Sequence, residues 1–222
     1  MGKGVTSKAS RRTAPPAQRR QQLILATIRS IASHGLSDTT MSSVAKEAGL
    51  SQGIINLHFQ SKDRLLLETL RFVVDEYRTY WRSALSMEHD SAAEQLAALV
   101  GVDFEKALCD RDKLAVWFAF WGESKSRPTY RKLCAERDRD YESTIRALCQ
   151  QITKEGDYTV DVDAVARGLT AMCQGFWLDL LVSPRKFSRD DAQRMCMIHL
   201  AAAFPDHFAP PDNPAPVAGK HD

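Results

Sequence analysis

The sequence predicts an all-α protein: a three-helix head carrying a helix-turn-helix, followed by a larger helical body. Three observations predict it. Apolar residues recur at helical spacing along the chain, and no convincing alternating run marks a strand. Two short helical segments flank a glycine between residues 40 and 58. Basic charge gathers in the first third: residues 1–71 hold eleven Lys and Arg against four Asp and Glu, a net of +7, which leaves −5 of the overall +2 for the rest. A basic front on an acidic body suggests that the front meets a polyanion.

The elements follow in order. Residues 1–16 are rich in Lys, Arg, Ser, Thr and Pro and read as a disordered basic arm, in which Arg11 and Arg12 are candidate phosphate contacts along with Arg19 and Arg20. A first helix is expected from about Ala17 to Ser33, with Leu23, Ile24, Ile28 and Ile31 on one face and His34-Gly35 as its stop. A second runs from about Met41 to Ala48, capped by Thr39 or Thr40, and a third from about Gln52 to His58, capped by Ser51. Ser61 opens a long fourth helix, about Lys62 to Leu85. Further helices are expected over about 91–107, 111–125, 128–154, 161–182 and 188–203. From Pro205 the chain turns to Pro, Ala and Asp and reads as a loose tail. The domains are therefore expected as arm 1–16, DNA-binding head 17–62, body 63–204 and tail 205–222.

Several classes are excluded at this level. The five cysteines, Cys109, Cys134, Cys149, Cys173 and Cys196, are odd in number and form no CxxC pair. Neither a disulfide framework nor a zinc site is expected, and reduced thiols in a cytoplasm fit. No apolar run approaches the ~20 residues of a membrane span. The six histidines are scattered, with no HExxH spacing, Gly-rich phosphate loop or G-x-S-x-G. No enzyme, metal or cofactor is expected. A purely architectural DNA-binding protein would not need a body twice the size of its head.

Residues Thr40–Phe59 carry helix-turn-helix grammar. Ala45 must be small where the third helix crosses the second, and Gly49 sits where the turn needs a positive φ. Val44, Ala48, Leu50 and Ile55 fill the wedge between two helices too short to stand alone. Gln52 and Asn56 lie a turn apart on the third helix and can bond base edges in the major groove, while Gly53 lets the backbone come close. Ser51 caps this helix. Thr40, His58 and Lys62 are placed to hold phosphates.

In the body, Trp117, Phe120 and Trp121 share a helical face, and Tyr130 follows. Phe176 and Trp177 lie on the eighth helix, and Tyr77, Tyr80 and Trp81 on the fourth. For any single ring, core packing is the ordinary explanation. Together with Asp103, Glu123 and Asp179 they are what a quaternary ammonium ligand needs. Such a cation offers no hydrogen-bond donor, so ring faces and one negative charge must hold it.

Thr39–Leu67 resembles the DNA-binding domain of the TetR family of bacterial regulators. The resemblance lies in Thr-x-x-x-Val-Ala-x-x-Ala-Gly-x-Ser-x-Gly, in His58-Phe59 where the family usually has Tyr-Phe, and in Ser61-Lys62-Asp63-x-Leu65-Leu66. Residues 18–205 further resemble the BetI-type branch, repressors of choline-to-glycine betaine genes. That likeness lies in Arg19-Arg20-Gln21-Gln22-Leu23-Ile24, Gly53-Ile54-Ile55, Trp117-Phe-Ala-Phe-Trp121 with Pro128 and Tyr130-Arg131, and Gly168-Leu169-x5-Gly175-Phe176-Trp177-Leu178. Where that branch tends to have Asp-Gly-Leu-Trp, this chain has Gln174-Gly175-Phe176-Trp177. The resemblance implies a homodimer paired through the last two long helices, a palindromic double-stranded DNA operator, and release by a small cation, choline or its aldehyde. A TetR-type repressor of an efflux pump sensing lipophilic cations is the competing expectation. On the last two helices, Leu169, Met172, Phe176, Leu180, Met195, Ile198 and Leu200 are the expected interface.

Overall fold

The computed structural model describes residues 15–183 and 186–211, and the expectations for the arm through Ala14 and for the tail from Asp212 lie outside them. Among the described residues every regular element is a helix: α1 (Pro16–Asp38), α2 (Met41–Glu47), α3 (Gln52–His58), α4 (Lys62–Ser86), α5 (Ala92–Asp103), α6 (Arg111–Gly122), α7 (Pro128–Glu155), α8 (Val162–Val182) and α9 (Arg189–Ala203). None is long and apolar enough to cross a membrane.

The chain forms two compact units. Among the described residues, one holds those up to Asp75 with Ala115–Leu133, and the other Glu76–Leu114 with those from Cys134 onward. Thus α4, α6 and α7 are each shared between units.

In the first unit α1, α2 and α3 close around Leu23, Ile28, Ile31, Val44, Ile55 and Phe59, all buried. Gly35 takes φ 80° and ψ 170°, so the first helical path breaks at the expected His34-Gly35 stop, and a short helical turn continues to Asp38. Thr40, not Thr39, caps α2: its hydroxyl accepts from the Ser43 N–H at 3.0 Å, and the Ser43 hydroxyl accepts from the Thr40 N–H at 2.9 Å. This reciprocal box satisfies two otherwise orphaned donors. Thr39 is instead buried, with its hydroxyl on the Gly35 carbonyl. Gly49 adopts φ 65° in the turn, where a side chain would be strained.

In the second unit α8 and α9 pack together, with the Cys173 and Cys196 sulfurs 3.8 Å apart. Helix α5 stops at Asp103, four residues short of the expected end. Its last carbonyls are claimed from elsewhere: the Trp177 indole N–H donates to the Asp103 carbonyl at 2.8 Å, and Arg189 donates to the Phe104 carbonyl at 3.0 Å. Terminal helix carbonyls lack intrahelical donors, so these two contacts tie α5 to α8 and α9.

Candidate functional site

The first unit presents one polar face built by α2, α3 and the start of α4. Ile55 and Phe59 anchor α3 in the core, which turns Gln52, Gly53 and Asn56 outward, all exposed. A Cβ built on Gly53 would meet only the Ser51 hydroxyl, at 3.8 Å. The fold itself therefore leaves room for a side chain there. Ser51 occupies the cap position of α3, but its hydroxyl makes no capping bond. Thr40 is exposed, His58 is half-buried. Lys62 donates from Nζ to the Ser37 carbonyl at 2.7 Å, which ties the start of α4 to the segment before α2.

Two arginines expected to reach phosphates are used internally. The Arg20 guanidinium pairs with Glu68 at 2.9 Å, donates to the His58 carbonyl at 3.3 Å and lies 4.6 Å from the centre of the Phe59 ring. Arg19 is buried and donates to Gln22. Both hold the head together, a correction to their reading as part of a free basic arm. Sequence reasoning passed over Leu57, a large apolar side chain 81% exposed beside Asn56. An exposed apolar side chain at that place on the helix is of the kind that can contact a thymine methyl.

The second unit encloses a cavity lined by Tyr77 (α4), Asp103 (α5), Arg137, Asp138 and Tyr141 (α7), and Thr170, Cys173, Gln174 and Trp177 (α8). Asp103 is 1% exposed, and each carboxylate oxygen accepts a phenol: Oδ1 from Tyr77 at 2.5 Å, Oδ2 from Tyr141 at 2.6 Å. The rings lock by their edges, Tyr77 with Trp177 at 5.7 Å and 88°, and Tyr77 with Tyr141 at 5.6 Å and 65°. Burial pushes the Asp103 carboxyl up from its ordinary value, and the two phenols and Arg137 pull against that shift. Burial first, then the Asp103 charge, drives Tyr77 and Tyr141 well above the ordinary phenol range, so both remain donors.

Of the eight residues expected at a ligand, Asp103 and Trp177 line this cavity. Asp179 is exposed on the other side of α8. Trp117, Phe120, Trp121, Glu123 and Tyr130 belong to the other unit. There Trp117 and Trp121 pack at 6.0 Å, Phe120 and Tyr130 meet edge to face at 4.9 Å, and Glu123 accepts from Ser126 at 2.8 Å. Trp117, Phe120 and Tyr130 are buried there. The cage residues that the sequence reading left out, Arg137 and Tyr141, sit in the charged run Glu136–Glu142. Their spacing of i, i+4 was the available signal: it puts them on one face.

The comparisons with known proteins fall on both units. A family model for bacterial regulatory proteins of the tetR family matches residues 23–69, and one for the C-terminal domain of BetI-type transcriptional repressors matches residues 92–205. The HTH-type transcriptional regulator BetI of Burkholderia thailandensis is 38% identical over 165 residues, 72% of this chain and 80% of that protein. The regulator BetI 1 of Chromohalobacter salexigens is 31% identical over 177 residues, 80% of this chain and 86% of its own. A transcriptional regulator from Saccharomonospora viridis, crystallised in complex with choline, superposes with a TM-score of 0.73 at 28% identity, covering 81% of this chain and 94% of that one. One from Pseudomonas aeruginosa PAO1 gives 0.75 at 27% identity, over 88% and 93%.

Proposed function

The chain belongs to the TetR family of bacterial transcription regulators, with a BetI-type repressor domain at its C-terminal end, and from that premise we propose a homodimeric repressor released from a palindromic operator by choline. The genes it would control are those that convert choline to glycine betaine. The observation that carries this reading is the cage around Asp103: one buried carboxylate, held by two phenols, with Tyr77, Tyr141 and Trp177 as its walls. A buried carboxylate is costly unless a cation stands near it. A trimethylammonium group supplies the charge while asking for no hydrogen bond, and ring faces add attraction. That a relative was crystallised with choline supports the same ligand class.

On the DNA side, Gln52 and Asn56 read base edges, and Thr40, Ser51, His58 and Lys62 hold the backbone. One recognition helix of seven residues reads only a few base pairs, so two-fold pairing over half-sites about one helical turn apart supplies the footprint. Release follows from linkage: the ligand must bind better to the form that misfits the operator. Helix α4 carries both Lys62 and Tyr77, so one element serves both sites.

Titration calorimetry with choline, betaine aldehyde, glycine betaine and a bulky dye cation tests the reading. Binding of choline or betaine aldehyde in preference to the dye supports it. Tight dye binding without choline binding points to an efflux-type sensor instead, and silence toward every quaternary ammonium overturns it.

A further inference from the structure

The cage already has a cation in it. Arg137, 4% exposed, places its guanidinium carbon 4.3 Å from the centre of the Tyr77 ring and 5.2 Å from that of Trp177. Its charge also acts on Asp103. With this side chain in place the free space is about 10 Å³, room for one water and not for a trimethylammonium group. We propose that Arg137 is the cage's resident occupant, a guanidinium that a cationic ligand must displace and that thereby sets the concentration at which the protein responds. This inference rests on the reading of the cage as a quaternary ammonium site, and names the residue that opposes the ligand there.

Charge bookkeeping makes the exchange natural. Asp103 needs one positive neighbour in either state, because an unpaired buried carboxylate is strongly disfavoured. Arginine cannot shed its proton to make way, so a second cation and the guanidinium would repel each other across the same two rings. The guanidinium must leave as a charged group, and a place exists for it. Arg137 is already paired with the adjacent Asp138. Asp138, Thr170 and Gln174 line both the cage and a neighbouring cavity of about 130 Å³, whose other walls include Glu142 and Arg167. Glu142 there accepts from Arg167 at 2.8 Å and stands 3.9 Å from Arg146. A swing of Arg137 about its own side chain would carry it into that cavity with the Asp138 pairing kept, and Asp138 would still supply its counter-charge there. The ligand then takes over the ring faces and the Asp103 charge, a one-for-one exchange of cations.

The apparent affinity of a ligand is reduced by the fraction of protein in which its site is open. Removing the rival charge should therefore tighten binding. Calorimetric titration of the full chain with choline compares wild type, Arg137→Gln and Arg137→Lys. The expected result is a Kd about tenfold lower, or more, for Arg137→Gln, with Arg137→Lys, still a cation, staying near wild type. Equal or weaker binding by Arg137→Gln, with wild type binding normally, overturns the proposal alone and makes Arg137 a plain wall of the site. No choline binding by any of the three overturns the cage reading and this proposal with it. A measurement on wild type guards against a variant that fails to fold. The Arg137 Nε–H resonance, shifted by the Tyr77 and Trp177 ring currents, should move toward the solvent-exposed value as choline saturates. An unmoved resonance at saturation contradicts displacement.

Discussion

Asp103 is a carboxylate sealed from water, and its behaviour with pH follows from that. Burial favours its protonated form, which raises its pKa. A bound cation favours the charged form. Arg137 shares its charge with Asp138, so a ligand cation placed against Asp103 favours the charged form more strongly, and choline affinity should fall as pH is lowered through the Asp103 pKa of the free protein, with proton release accompanying binding in that range. The groups facing Asp103 do not obscure this: Tyr77 and Tyr141 stay neutral, Cys173 is pushed up as well, and Arg137 stays charged. Asp103→Asn should weaken choline binding by roughly 10–100-fold, about 1.5–3 kcal/mol for a lost charged contact, and should flatten the pH profile. Calorimetry across pH reads both effects, and a variant that keeps wild-type affinity and slope would remove Asp103 from the site. On α3, Asn56→Ala should cost about 1–3 kcal/mol on the specific operator and relax sequence preference. Lys62→Ala should weaken binding to every sequence and lower the salt slope by about one. Equal loss of specific and nonspecific binding by both variants, measured by salt-dependent anisotropy, would refute this division of roles.

At the scale of helices, order and type were readable from apolar spacing and caps, because each helix buries one stripe. Ends were less so. Phe104 and Leu108 continue the apolar period of α5, yet the helix ends at Asp103, where Trp177 and Arg189 donate to the carbonyls of Asp103 and Phe104. Those partners lie far along the sequence, and no local pattern announces them. The candidate site was partly legible for the same reason. Asp103 and Trp177 declared themselves as a carboxylate and an indole in apolar helices. Tyr141 and Arg137 lie in a strongly charged stretch, and only packing shows that their face points inward. Arg19 and Arg20 misled in the opposite sense, since basic residues near a basic arm turn out to bind Gln22, Glu68 and Phe59. The last two helices yield a further expectation. Leu169, Leu180 and Leu200, expected at a dimer interface, are buried within the protomer, whereas Leu178, Val182, Met195 and Ile198 are 37–70% exposed. If this second set pairs with another copy, Met195→Glu with Ile198→Glu should convert a dimer into 24.9 kDa monomers of unchanged helicity in sedimentation. A double variant that still sediments as a dimer would place the interface elsewhere.

For the whole molecule, charge and chemistry divide along the chain. The net positive charge falls in the first 71 positions, and the caged carboxylate sits in the net-acidic remainder. A protein arranged this way can couple two ligands only through a difference in affinity between its states. The effector's affinity must then drop when DNA is bound by the same factor as DNA affinity drops when effector is bound. The most direct test uses a duplex that the protein itself selects from a random-sequence pool, followed by fluorescence anisotropy. Choline should release the bound duplex in a saturable manner, whereas 3,3-dimethylbutanol, the neutral molecule of the same shape, should leave it bound at equal concentration. Release by both alike, or by neither, would contradict a repressor governed by a cation in the Asp103 cage.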